Sequence, residues 1–139
     1  MSEMVRFGIS MQKELLEMFD TQIVARGYAN RSEAVRDLIR NRLVEQEWQD
    51  GSGEVAGTIT LVYDHHTRGL NSLLTDLQHD YYDIIITSTH VHLDHDNCLE
   101  VLIIKGKADL VQAAAAKLTG LKGVKFGKLS LASTGKKLR

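Results

Sequence analysis

The chain of 139 residues contains no proline and a single cysteine, Cys98. Without proline, its turns and helix ends must be made by glycine, asparagine, aspartate and serine. A lone cysteine cannot form an internal disulfide, so in a reducing compartment its thiol is available for metal or redox chemistry. Hydrophobic residues at 43% and charged residues at 25% are typical of a globular chain and exclude a collagen-like or wholly disordered one.

Long apolar runs are also absent: no stretch of about 18 apolar residues occurs, and the N-terminus lacks the pattern of a secretory signal. These absences predict a cytoplasmic protein that does not associate with membranes. The net charge of −1 gives no general affinity for nucleic acid. DNA binding would therefore require a local cluster of cations, and one is formed by Arg26, Arg31, Arg36, Arg40 and Arg42.

The first 50 residues lack histidine and cysteine, and they predict one strand and two helices. Apolar residues alternate with Arg6, Gly8 and Ser10 at the start, which is the period of a strand. Apolar stripes then predict helices over about 12–25 and 31–48. Because this unit is too small to bury its own core, we expect two copies to pair their strands in an intertwined dimer, with Arg6 and Ser10 facing outwards.

A change in composition near Asp50 separates this unit from the rest of the chain. The flexible sequence Asp50-Gly-Ser-Gly53 predicts a boundary between a domain of residues 1–50 and one of residues 54–133. The second domain reads as β-α-β-β-α-β, the order of a ferredoxin-like fold. Its strands are expected at 54–63, 82–92, 98–105 and 123–132, and its first helix at 67–78.

A candidate metal site lies in the middle hairpin of this second domain. His90 and His92 are two apart on a strand, so their side chains project from one face about 7 Å apart. Cys98 begins the next strand beside them. Imidazole and thiolate ligands suit zinc, nickel, copper or iron rather than calcium or magnesium. The alternative is a polar strand surface beside a small buried cysteine.

His79, at the end of a predicted helix, is the leading candidate for a fourth ligand, from the same chain or from a neighbouring subunit. The alternative is a histidine stabilised by the helix dipole. Two further motifs need separating from this site. Asp64-His65-His66 is either a second metal site or a solvated strand end. His90-Val-His-Leu-Asp-His95 matches a hydrolase motif of metallo-β-lactamases, but no histidine follows it to complete such a centre.

Two longer motifs carry a resemblance to a known family. They are Arg-Gly-Tyr-Ala-Asn-Arg-Ser-Glu-Ala at 26–34 and Thr-His-Val-His-Leu-Asp-His-Asp-Asn-Cys-Leu-Glu at 89–100. With them the chain resembles the NikR family of nickel-responsive repressors over about residues 5–132. The resemblance implies an α+β fold, with an N-terminal ribbon-helix-helix domain and an ACT-like ferredoxin domain, assembled as a homotetramer that is a dimer of dimers.

The resemblance also assigns metal ligands. It implies that His90, His92 and Cys98 of one subunit bind Ni(II) together with His79 of the facing subunit. Further residues near the metal would be Tyr63 and His65. In the DNA-bound form, a second cation would lie at Glu33 and Asp37, a pair that on spacing alone is an ordinary solvated helix face.

For DNA, the resemblance implies that Arg6, Gly8 and Ser10 read bases in the major groove, although Gly8 stands where a threonine-like side chain is usual. The helix start at Asn30, Arg31 and Ser32 would hold a phosphate. The implied function is nickel-dependent repression of nickel uptake genes through double-stranded operator DNA, without enzymatic activity. The alternatives are a regulator that senses another small ligand or metal through its ACT-like domain, and a metal-storing or hydrolytic protein without a DNA role.

Overall fold

The computed structural model describes residues 3–139. Its contacts divide the chain into two compact units, one extending to Ile39 and the other running from Arg40 to Arg139. The elements in chain order are α1 (Lys13–Ala25), α2 (Arg31–Asp50), β1 (Glu54–Asp64), α3 (Leu70–Asp80), β2 (Ile85–His92), β3 (Asn97–Lys107), α4 (Ala108–Thr119) and β4 (Val124–Leu131).

The second unit is built on a four-stranded sheet of order β2-β3-β1-β4, in which every neighbouring pair is antiparallel. This is the order of a ferredoxin-like β-α-β-β-α-β fold, so the predicted fold is confirmed. Alternate residues of β1 are buried, including Val55, Ile59 and Leu61. They pack in one core with Val111 and Leu118 of α4, because a sheet with one covered face buries every second side chain.

The last turns of α2 pack within this second unit. Trp48 is 3% exposed, and its Nε1 donates a hydrogen bond to the Ala132 carbonyl oxygen at 2.9 Å. The Trp48 carbonyl oxygen accepts a hydrogen bond from Gln112 Nε2 at 3.1 Å. The contacts divide the chain inside α2, after Ile39, and a domain boundary near residue 50 stays a prediction.

The expected flexible connection at residues 51–53 is instead hydrogen-bonded to the start of α4. The carbonyl of Gly53 accepts from the Ala108 amide and that of Gly51 from the Asp109 amide, both at 3.0 Å. The first amides of a helix have no partner within the helix, and α4 has no side-chain cap. The two glycine carbonyls supply the missing acceptors and hold this segment in place.

In the first unit, residues 3–12 form neither helix nor strand, so the strand expected there is not present in this single chain. Its apolar side chains are exposed, with Val5 at 77% and Phe7 at 70%. A strand exists only when its backbone pairs with another, and the expected pairing is with a second copy. The start of α2 is as predicted, because Asn30 Oδ1 accepts a hydrogen bond from the Glu33 amide at 2.9 Å. Within residues 3–139, no helix is both long and apolar enough to span a bilayer.

Candidate metal centre and DNA-contacting residues

The hairpin of β2 and β3 brings two of the predicted ligands into contact. His92 lies opposite Cys98 in the register of the two strands. Side chains directly opposite each other project from the same face of a sheet. As a result, His92 Nδ1 lies 3.3 Å from Cys98 Sγ. This is the juxtaposition that the His-x-His and cysteine spacing predicted.

His65 completes a compact group of three. Potential ligand atoms of His65, His92 and Cys98 all lie within 4.8 Å of one another. Asp64 pairs with Asn97 at the end of β1, so the next residue enters the space beside the first residues of β3. His65 Nε2 also lies 2.7 Å from the His95 carbonyl oxygen, which orients the ring. Sequence reasoning placed His65 only among the secondary residues, although the central position of β1 in a ferredoxin-like sheet was a signal for its closeness.

His90 lies beside this group rather than within it. Its ring centroid is 5.2 Å from that of His92 and 6.0 Å from that of Tyr63. All three side chains line a cavity of about 320 Å³ that also includes His65 and Glu100. His90 therefore lines the same cavity as His92 while staying outside the compact group of three.

His79 is the predicted ligand that this chain does not bring to the cavity. It is the penultimate residue of α3, it is exposed, and its ring lies 6.4 Å from that of Tyr82. Of the described residues, His79 is not among those that line the cavity. Its delivery from a facing subunit stays a prediction.

The buried carboxylate of Glu100 lines the cavity, and both of its oxygens accept hydrogen bonds. Glu100 is 6% exposed and accepts from Tyr63 Oη at 3.1 Å and from Gln78 Nε2 at 2.8 Å. Burial, followed by the charge of Glu100, raises the pKa of the Tyr63 phenol, which therefore remains a donor. Burial and the same carboxylate raise the pKa of the Cys98 thiol. The Cys98 thiol therefore ionises less readily than an ordinary cysteine.

This donor set fits a borderline transition-metal ion. Imidazole nitrogens with one thiolate suit nickel, copper or zinc, whereas calcium and magnesium require oxygen ligands.

The aspartate of the motif that resembles a metallo-β-lactamase has a structural role in the turn between β2 and β3. Asp94 Oδ1 accepts from the amides of Asp96 and Asn97 at 2.9 and 2.8 Å, so its carboxylate shapes the hairpin turn. Hydrogen bonds from the Asn97 side chain, and then from the Asn97 and Asp96 amides, hold the pKa of Asp94 at about 2.

The residues expected to contact DNA lie in the first unit. Arg6, Gly8 and Ser10 are exposed in the unpaired segment of residues 3–12. Arg31 at the start of α2 is also exposed, but its guanidinium makes a bidentate ion pair with Asp20, at 2.8 and 2.7 Å. This pairing leaves the backbone amides at the helix start as the groups available to a phosphate.

The expected second cation pair on α2 has partners inside the same unit. Glu33 forms an ion pair with Arg36. Asp37 accepts a hydrogen bond from Tyr28 Oη at 2.7 Å, which raises the pKa of the tyrosine. A cation at Glu33 and Asp37 therefore remains a prediction.

Comparisons with known proteins decide the family. A model of the NikR C-terminal nickel-binding domain matches residues 56–132. The chain belongs to the NikR family. A model of ribbon-helix-helix proteins of the copG family matches residues 5–46. The NikR family consists of transcriptional regulators rather than enzymes, so the chain is a DNA-binding regulator with a nickel-binding domain.

Curated relatives match over the full length of this NikR chain. A protein of Nitratidesulfovibrio vulgaris called "Putative nickel-responsive regulator" is 58% identical over 138 residues, which cover 99% of each chain. A Geobacter sulfurreducens protein of the same name is 54% identical with the same coverage. An uncharacterized Thermotoga maritima protein of solved structure covers 58% of this chain and 99% of its own, with a TM-score of 0.52 at 17% identity. That likeness concerns the fold alone.

Proposed function

We propose that this NikR chain is a cytoplasmic, nickel-dependent repressor that binds operator DNA as a homotetramer and controls nickel uptake genes. The observation that carries the proposal is the contact of 3.3 Å between His92 Nδ1 and Cys98 Sγ, with His90 lining the adjoining cavity. An imidazole and a buried thiol in contact form the start of a soft-metal site, in a chain that also has a ribbon-helix-helix sequence.

His90, His92 and Cys98 would hold the nickel ion from one chain, and His79 would come from a facing chain. The ion would link these three ligands of one chain to the His79 imidazole of the other. Cys98 would bind the ion as a thiolate, having lost its proton to solvent, and Tyr63 and Gln78 hold Glu100 in place through hydrogen bonds. The orientation of His65, set by the His95 carbonyl, places a further nitrogen next to the thiol.

DNA would be read by two copies of the segment that contains Arg6, Gly8 and Ser10. Paired as a two-stranded ribbon, they fit the major groove, where Arg6 can donate two hydrogen bonds to one guanine. Because Gly8 has no side chain, it would leave space next to the bases and make no side-chain contact with them. The amides of Arg31 and Ser32 would bind a phosphate, because the Glu33 amide is already bonded to Asn30.

Nickel would act by favouring the arrangement of chains that can place both ribbons on one operator. A metal that binds this arrangement more tightly than others increases its population in proportion to the difference in affinity. A tenfold gain in DNA affinity corresponds to about 1.4 kcal/mol.

The proposal is tested with a DNA duplex that wild-type protein selects from a random library in the presence of Ni(II). Gel shifts with this duplex are then titrated with Ni(II), Cu(II), Zn(II) and Co(II). Wild-type protein should bind at least tenfold more tightly with nickel than with a chelator, and Cys98→Ser should remove this gain. Thr89→Ala, an exposed change next to His90, is the matched control and should retain it.

Two results would contradict the proposal. Absence of tight Ni(II) binding in equilibrium dialysis would favour a regulator that senses another ligand. An Arg6→Ala variant that shifts the selected duplex as well as wild type would remove the role of the ribbon.

A further inference from the structure

A second cluster of potential metal ligands lies in the two turns that follow β1 and β2. His66 follows β1, and His95 and Asp96 lie in the turn between β2 and β3. Potential ligand atoms of the three residues all lie within 4.8 Å of one another. The rings of His66 and His95 are 5.3 Å apart, and His66 Nε2 is 3.6 Å from Asp96 Oδ1.

One backbone hydrogen bond joins the two turns, and a side-chain carboxylate braces each of them. The His65 amide donates to the Asp96 carbonyl oxygen at 3.1 Å, and the His66 amide donates to Asp64 Oδ1 at 2.8 Å. The Asp96 amide is held by Asp94. The three side chains are therefore close because their backbones are fixed, and a ligand would not need to order a loop.

Ordinary surface electrostatics does not account for the whole cluster. The side chains of His66 and Asp96 are 50% and 59% exposed, and ion pairs this exposed contribute little to stability. Such a pair also gives no reason for a second imidazole beside it. Two imidazoles and a carboxylate together match the ligands of a borderline divalent ion, with water in the remaining positions.

We propose that His66, His95 and Asp96 form a second transition-metal site on each chain, separate from the centre at His92 and Cys98. It contains no thiolate, and its exposed ligands do not exclude water. Both differences make it the weaker of the two sites, so it fills at higher metal concentration. Its ligands all come from one chain, so it does not depend on the facing subunit that the proposed nickel centre needs.

Equilibrium dialysis of the full-length protein against Ni(II), and separately against Zn(II), tests this second site. Wild-type protein should bind two ions per chain, and the double variant His66→Asn with His95→Asn should bind one. The near-ultraviolet band from sulfur to nickel should keep its wild-type intensity in the double variant. Cys98→Ser should show the reverse, losing the band while keeping the weaker ion.

Single substitutions provide the control. Asp96→Asn should weaken the second ion at least tenfold, whereas Asp83→Asn, an exposed carboxylate outside both clusters, should leave it unchanged. The proposal is overturned if the double variant or Asp96→Asn binds both ions as tightly as wild type. It is also overturned if the ion lost from the double variant is the one with the sulfur band. Failure of the nickel centre alone would instead appear as a missing band with the weaker ion still bound.

Discussion

The two units of this chain solve the problem of burying apolar surface in different ways. In the second unit, side chains from β1, β3, α3 and α4 form one continuous core, with residues such as Ile59 and Leu102 fully buried. In the described part of the first unit, the buried apolar residues are Ile23 and Ala34, while Val5, Phe7 and Ile9 are more than half exposed. One unit buries a continuous core within a single chain, and the other leaves much of its apolar surface exposed.

The largest effect should come from the core of the complete unit. Ile59→Ala removes a fully buried side chain from the middle of β1, and we expect the free energy of unfolding to fall by about 2–5 kcal/mol. Urea unfolding followed by the fluorescence of Trp48, the one tryptophan of the chain, measures this loss. Leu110→Ala, at a side chain 46% exposed, is the control and should cost far less. Equal costs would mean that burial in the sheet is not the source of stability.

Substituting one glycine in each unit compares how tightly the two units are packed. A Cβ on Gly57 would lie 2.5 Å from the Ser130 carbonyl oxygen and 3.2 Å from the Trp48 ring. Gly57→Ala should therefore lower the free energy of unfolding by about 1–3 kcal/mol, the usual cost of overpacking. Gly8→Ala meets no atom within 4 Å and should leave thermal stability unchanged. An unchanged melting temperature in Gly57→Ala would show that β4 can shift freely.

The incomplete unit should respond in DNA binding rather than in stability. Phe7→Ser removes an aromatic side chain from the face expected to meet a second copy. We expect at least a tenfold loss of affinity for the selected duplex, about 1.4 kcal/mol, with unchanged unfolding of the sheet unit. Gln12→Ala, whose side chain makes no capping bond, is the control in the same gel shifts. Loss of Trp48-monitored stability in Phe7→Ser would contradict the separation of the two units.

The smallest effect concerns pH in the first unit. Hydrogen bonds from Arg31 lower the pKa of the Asp20 carboxyl. A group whose pKa is lower in the folded state stabilises that state above its unfolded pKa of about 3.9, and the contribution is lost as pH falls below that value. The protection factors of the α1 amides, which are corrected for the pH dependence of intrinsic exchange, should therefore fall in acid for wild type and less so for Asp20→Asn. Glu17→Gln, at a more exposed ion pair with Lys13, should behave as wild type does.

Local patterns predicted most of the fold, because alternating apolar residues in strands and apolar stripes in helices can be recognised within short segments of sequence. The helices and strands of the second unit begin and end within a few residues of the expected positions. The contact of His92 with Cys98 was predictable for the same reason, since both lie on one hairpin. The closeness of His65 depends on how β1 pairs with β3, and that register is a property of the whole sheet.

Other features depend on distant parts of the chain and had no local signal. The packing of Trp48 against the segment after β4 joins residues 84 positions apart. The cluster of His66, His95 and Asp96 requires two separate turns to be hydrogen-bonded together. The strand that the alternation of residues 5–9 predicts would need a second molecule to pair with, so it stays a prediction in a single chain.

The position of Trp48 determines where the protein can be cut. A fragment that begins at Glu54 would lack the indole that fills the sheet unit and the two glycine carbonyls that accept from the first amides of α4. Losing a buried tryptophan side chain typically costs about 3–5 kcal/mol, a large share of the stability of a small domain. A fragment that begins at Arg40 keeps both features and carries its own fluorophore, so metal titrations on the isolated regulatory half should start from that residue.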